Sequence, residues 1–376
     1  MRQYKQLGPQ QFAALVFHFT IGSTILIIPS ALANAAKQDA WLSALIGVIV
    51  GLLLVCLYNI LEGMHPELNI VEYSEQILGK WLGKAVSLLF CLFALLTASL
   101  VLRNLGDFIT IEMLPTTPIE AIHVPMLLVA VIAVRLDLET LGRAAEIFFL
   151  VVIVIFILTV TLILPHATLH NIQPILGQGI KPVLLGSTII MGIPYFELVL
   201  LLMLFPYVNN VKGAKKSFLF GTALSGFCLT LITLACLIGL SPIITELVLY
   251  PTFYVVKKIN VADFIQRVEA GLAVLWFISV FFKLAICFFA AVISLSHTLN
   301  LKSYRSLAMP MAMIIFVLSL IAFPNITYFR EFAAKIGPFY TGTFGLVLPL
   351  ILLIGALIRK RLSGKSKKSR KPYTRG

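Results

Sequence analysis

Phe19-Thr20-Ile21-Gly22-Ser23-Thr24, with Pro29 close behind, interrupts an apolar run of bilayer-spanning length, and Gly192-Ile193-Pro194-Tyr195-Phe196-Glu197, followed by Pro206, interrupts another. Gly22 and Gly192 stand 170 residues apart, close to half of the apolar body. Glycine and proline weaken the backbone ladder at such points. In hydrocarbon each freed amide or carbonyl costs several kcal/mol, so these groups either line a cavity or are re-satisfied by packed neighbours as simple kinks. Freed amides suit a carboxylate and freed carbonyls suit an ammonium or a cation. The paired breaks therefore point to a pocket for an amino-acid-sized zwitterion.

Outward from the breaks, the 376 residues are 60% hydrophobic and only 12% charged, far from the roughly 25% charge of soluble domains. A soluble enzyme is excluded. Apolar blocks of about 20 residues fall near Phe12–Asn34, Trp41–Leu61, Ala85–Leu105, Ile122–Val134, Ala144–Leu164, Val183–Val208, Phe218–Leu240, Val268–Leu295, Ala308–Phe323 and Phe339–Ile358. The expected fold is an all-α membrane protein of ten transmembrane helices. Five spans per half make the second half enter from the opposite side, giving a 5+5 inverted repeat with broken helices 1 and 6. The transmembrane domain covers 1–358, with repeats over about 12–165 and 183–358.

A cytoplasmic start places 20 of the 29 Lys/Arg inside and eight outside, Lys283 being intramembrane. The positive-inside rule thus predicts cytoplasmic termini. Much of the bias comes from residues 359–376, a tail with nine Lys/Arg and no acids, which leaves the body only four of the net thirteen positive charges. Such a tail is attracted to anionic lipid headgroups rather than to nucleic acid.

Glu197 and Lys283 are the two charges deep within spans, and intramembrane charge marks a functional site by default. Two readings of Lys283 stand: its ammonium replaces a coupling cation, or it forms a structural ion pair with Glu197 or another acid. Ser279 shares its helix face. Thr97 sits mid-span, facing the ligand or bonding its own backbone. Arg103 and Asp107 read as an interfacial structural pair, and Gly47 with Gly51 permits close helix approach. The five cysteines, all within apolar blocks, read as packing residues, and no nucleophile elbow, Walker motif or dinucleotide fingerprint occurs. No enzyme activity, metal or cofactor is expected.

These features resemble the spore germination permease-like subunits, the B subunits of bacterial spore germinant receptors, within the amino acid, polyamine and organocation transporter superfamily. The resemblance rests on Gly22 to Pro29, Gly79-Lys80-Trp81-Leu82-Gly83, and Asn171 to Gly179. It also rests on Gly192, Glu197 and Pro206, and on Arg267, Glu269 and Trp276. It covers nearly the whole chain. The resemblance implies a nutrient-sensing receptor subunit in the spore inner membrane, acting with a larger membrane A-type subunit and a lipoprotein C-type subunit. The superfamily's pocket falls on Gly22, Ser23, Thr24, Thr97, Gly192, Pro194, Tyr195, Phe196, Glu197, Ser279 and Lys283, with a small nutrient such as an amino acid as ligand. Lys283 departs from a neutral pocket and leaves an acidic, sugar or other nutrient open. A proton-coupled amino acid permease is the alternative.

Overall fold

The computed structural model describes residues 7–258, 268–322 and 325–369, and its described residues are almost entirely helical. Arg267 and the last residues of the basic tail lie outside them. The chain opens with α1 (Pro9–Ile21), α2 (Thr24–Ala36), α3 (Ala40–Glu62), α4 (Ile70–Leu78) and α5 (Lys80–Phe108). Next come α6 (Ile119–Arg135), α7 (Leu138–Ile163) and α8 (Ile180–Ile190), the last running into a π turn (Met191–Tyr195) and a 3-10 segment (Phe196–Met203). The remainder comprises α9 (Val211–Leu240), α10 (Pro242–Leu247), α11 (Pro251–Lys257), α12 (Val268–Thr298), α13 (Ala308–Ile321), α14 (Ile326–Lys335), α15 (Gly337–Gly342) and, after a second π turn, α16 (Leu348–Ser369).

Among the described residues, seven helical stretches are long and apolar enough to cross a membrane, and Arg305–Ile321 is a shorter apolar helix. One of the seven, Thr24–Glu62, has 39 residues, about 58 Å if straight, roughly twice a hydrocarbon core. It folds back where Lys37 takes a φ of 49° and residues Lys37–Asp39 tighten to a 3-10 turn. The expected fourth span starts earlier than its apolar run suggests. Pro125 lies inside α6, one turn further in than an N-terminal position, as membrane helices tolerate when neighbours re-satisfy the backbone.

Both expected breaks are present. α1 ends at Gly22, whose amide donates to the His18 carbonyl at 2.8 Å, and α2 begins at Thr24. In the second break Ile193 is extended (φ −138°, ψ 113°) between helical turns. The paired glycines of α3 explain how the chain tolerates this kink: Gly47 packs on Ile190, and a Cβ on Gly51 would lie 2.5 Å from Tyr195 Cδ1. The GxxxG face is thus spent inside the molecule, on the second broken segment.

α12 runs through the centre against α5, α1 and α7, its side chains mostly buried. α10 and α11 cover α2. Beneath them Phe108 meets Tyr250, Phe253 and Trp276 with ring centroids 5.0, 5.2 and 4.6 Å away, joining α11, α5 and α12. Large apolar side chains such as Leu53, Leu150 and Met313 remain exposed on the outside, as a bundle facing lipid tails requires. Asn325 caps α14, its side chain accepting from the Tyr328 amide at 2.8 Å.

Candidate functional site

α12 carries Lys283 to the first break. Its ammonium donates to Ser23 Oγ at 3.0 Å, and its stem lies so close to Gly22 that a Cβ there would stand 2.7 Å from Lys283 Cδ. The charge also sits 5.3 Å from the Phe19 ring centroid, a cation–π distance. From the second break Glu197 meets it, Oε2 lying 2.6 Å from Nζ. That contact lacks hydrogen-bond alignment, so its strength is Coulombic. Both side chains are almost fully buried. Desolvating two charges costs several kcal/mol each, which only close pairing and further polar contacts offset.

The ion pair therefore ties the two broken helices together through α12. Arg103 and Asp107 form a second pair at 2.9 Å, with side chains 10% and 6% exposed. The sequence reads them as an interfacial structural pair, and the structure buries them where α6 and α13 cover that end of α5.

Beside the Lys283–Glu197 pair is a cavity of about 30 Å³, walled by α2 (Ser23 at its start, Ile27), α5 (Thr97, Leu100, Val101, Asn104), the second break (Ile193, Glu197), α14 (Phe332) and α15 (Gly337, Tyr340, Thr341). A water needs about 10–15 Å³ of such space, so this state has room for about two waters and none for an amino acid. Thr97 donates to its own helix, at the Phe93 carbonyl, and Thr341 likewise to Gly337. Asn104 differs: neither its Oδ1 nor its Nδ2 has a hydrogen-bond partner, though the residue is 1% exposed. An unmet buried polar group costs about 1–3 kcal/mol.

Of the residues expected from sequence, Ser23, Thr97 and Glu197 line the cavity, while Gly22 and Lys283 stand directly behind its wall. The others are deployed elsewhere. Tyr195 fills the space between α3 and α9 against Gly51 and Gly226, Phe196 packs on Gly342 and Gly345, and Gly192 lies under Pro338. Pro194 and Thr24 are buried in the break segments. Ser279 faces α1, where its Oγ lies 3.3 Å from Nδ1 of His18. His18 Nε2 in turn lies 3.1 Å from the Ala145 carbonyl on α7, so Nε2 donates there and Nδ1 is left to accept from Ser279.

Sequence reasoning missed Asn104, Tyr340, Thr341 and His18. For Asn104 a signal existed: Thr97, Leu100, Val101 and Asn104 follow the i, i+3, i+4, i+7 spacing of a single helix face. Tyr340 and Thr341 carried none, since only folding brings α15 to the second break.

Comparison with known proteins agrees with this architecture. The chain is 31% identical over 369 residues to Spore germination protein KB of Bacillus subtilis (strain 168), covering 96% of this chain and 97% of that one. It is 23% identical to Spore germination protein A2 of the same organism, over 96% and 98% of the two chains. Among solved structures, MHP1, a nucleobase-cation-symport-1 family transporter in a closed conformation with bromovinylhydantoin bound, superposes with a TM-score of 0.65 at 13% identity, over 92% of this chain and 80% of that one. MhsT in complex with L-phenylalanine gives 0.64 at 13% identity, over 94% and 99%. At that identity the likeness concerns the fold, which is that of helical membrane transporters. Residues 6–326 match the family described as Spore germination protein, and the chain belongs to that spore permease family.

Proposed function

We propose that this chain is the nutrient-sensing subunit of a spore germinant receptor, binding a small nutrient such as an amino acid between its two broken helices. The observation that carries the reading is the Lys283 ammonium, held at 2.6 Å from Glu197 and 3.0 Å from Ser23, which joins both breaks beside a small cavity. A ligand entering there must displace or rearrange that contact and widen the cavity. Binding then favours a second arrangement of the helices, and only differential affinity for the two arrangements generates a signal. The ligand residues of the reading are Gly22, Ser23, Thr24, Thr97, Gly192, Pro194, Tyr195, Phe196, Glu197, Ser279 and Lys283.

The same proposal takes residues 1–358 as ten crossings, with α1–α2 forming the first and α8 with the following turns the sixth. Repeats over about 12–165 and 183–358 are related by inversion. Both termini are cytoplasmic, the basic segment 359–376 rests on lipid headgroups, and the membrane is the spore inner membrane. The partners are a larger A-type membrane subunit and a C-type lipoprotein. A proton-coupled amino acid permease is the second reading, favoured by the presence of a titratable pair, Glu197 and Lys283, at the break.

The test is germination of spores carrying Lys283→Ala or Glu197→Gln in accumulated protein, against a nutrient panel. The receptor reading expects a shifted concentration dependence for some nutrients, with unrelated germinants unaffected. Unchanged responses in both variants would remove it. Solute accumulation in liposomes containing the purified chain alone would favour the permease.

A further inference from the structure

Asn104 is a buried carboxamide whose Oδ1 and Nδ2 both lack a hydrogen-bond partner, and it lines the cavity. The rest of that α5 face engages nothing polar outside itself: Thr97 is satisfied by its own backbone and Leu100 and Val101 are apolar. Glu197, the charged member of the wall, is neutralised by Lys283. The cavity thus offers no free charge at this point. It offers one planar amide, which pairs best with a neutral group presenting an acceptor beside a donor.

We infer that Asn104 is the specificity-determining residue of this site, and that it holds an uncharged donor–acceptor end of the ligand, a carboxamide or a vicinal diol. The inference rests on the reading of this cavity as the nutrient pocket. A buried polar site discriminates strongly against ligands that leave its groups unpaired, more strongly than an apolar pocket discriminates by size. Asn104 therefore selects among nutrients, while the Lys283–Glu197 pair answers to the state of the bundle.

Two measurements on the full-length chain in detergent test it. In the first, Asn104→Leu removes both unmet atoms at nearly constant volume. The ligand-free variant is expected to melt at or above the wild-type temperature. A lower midpoint would mean that Asn104 is a structural hydrogen-bonding residue and would overturn the inference.

In the second, L-glutamine, L-glutamate and D-glucose are added separately. L-glutamine against L-glutamate isolates the amide end, and D-glucose supplies the diol. The expected result is a rise of about 2 °C or more in the wild type at about 10 mM for L-glutamine or for D-glucose, whichever source is right, and none for L-glutamate. The rise is expected to vanish in Asn104→Leu and in Asn104→Asp. Silence of both neutral probes overturns the inferred class. A shift that persists in both variants removes Asn104 while leaving the pocket in place, and one that strengthens in Asn104→Asp places a cationic group there instead. Failure of the pocket itself is read separately, as spores that germinate normally with Lys283→Ala.

Discussion

Thr252 Oγ1 donates to the Ile25 carbonyl at 2.7 Å, and Ile25 is the residue whose helical hydrogen bond Pro29 cannot complete. Proline lacks the amide that would reach the carbonyl four residues back. Helix α11, distant in the chain, thus supplies the donor that α2 lacks. Ser30 and Glu246 extend the same junction, Ser30 Oγ donating to the Glu246 carbonyl at 3.1 Å. Two hydrogen bonds thus tie α10 and α11 to α2.

Removing that donor leaves a buried carbonyl unmet. Thr252→Val is predicted to destabilise by about 1–2 kcal/mol, read as a lower melting midpoint. Thr252→Ser, which keeps the hydroxyl, is expected to retain most of the stability. Equal midpoints for the Val variant and wild type would show that the junction contributes nothing.

The Lys283–Glu197 contact predicts strong asymmetry between single and double changes. Lys283→Ala or Glu197→Gln alone strands a buried charge and is expected to cost about 3–5 kcal/mol. Lys283→Met combined with Glu197→Gln should recover a large part of that loss, a coupling that a double-mutant cycle measures directly. Additive losses would contradict a direct pair.

By contrast, Lys37 and Glu246 are in contact at 2.5 Å but are 37% and 22% exposed. Water and salt screen such a pair. Lys37→Ala is predicted to change stability by less than about 1 kcal/mol, and the small effect should fade in molar salt.

Gly22→Ala places a methyl group where Lys283 Cδ lies 2.7 Å away. The lysine stem must move, and overpacking of this kind costs about 1–3 kcal/mol. The variant should therefore melt lower and also lose the Lys283 contact with Ser23, so that adding Ser23→Ala has little further effect. A full additional loss from Ser23→Ala would place the strain elsewhere.

The helical membrane character, the two breaks and the two intramembrane charges were legible in sequence because each obeys a local rule. A run of apolar residues spans lipid, glycine and proline interrupt a helix, and a lone Lys or Glu in such a run is conspicuous. The same rules placed Tyr195 and Phe196 near the break but could not say which way they face: Tyr195 turned to Gly51 and Gly226, and Phe196 to Gly342 and Gly345. Ser279, one turn from Lys283, met His18 instead of the cavity.

By itself, then, the sequence determined where the backbone weakens and which side chains are costly to bury, since both follow from residue type and near neighbours. Tertiary structure alone decided that Lys283 meets Glu197, that Thr252 serves the carbonyl stranded by Pro29, and that Asn104 is left unmet beside Tyr340 and Thr341. Those pairings join segments distant in the chain, and they are selected by the packing of whole helices, in which every buried polar group competes for a partner that no local spacing encodes.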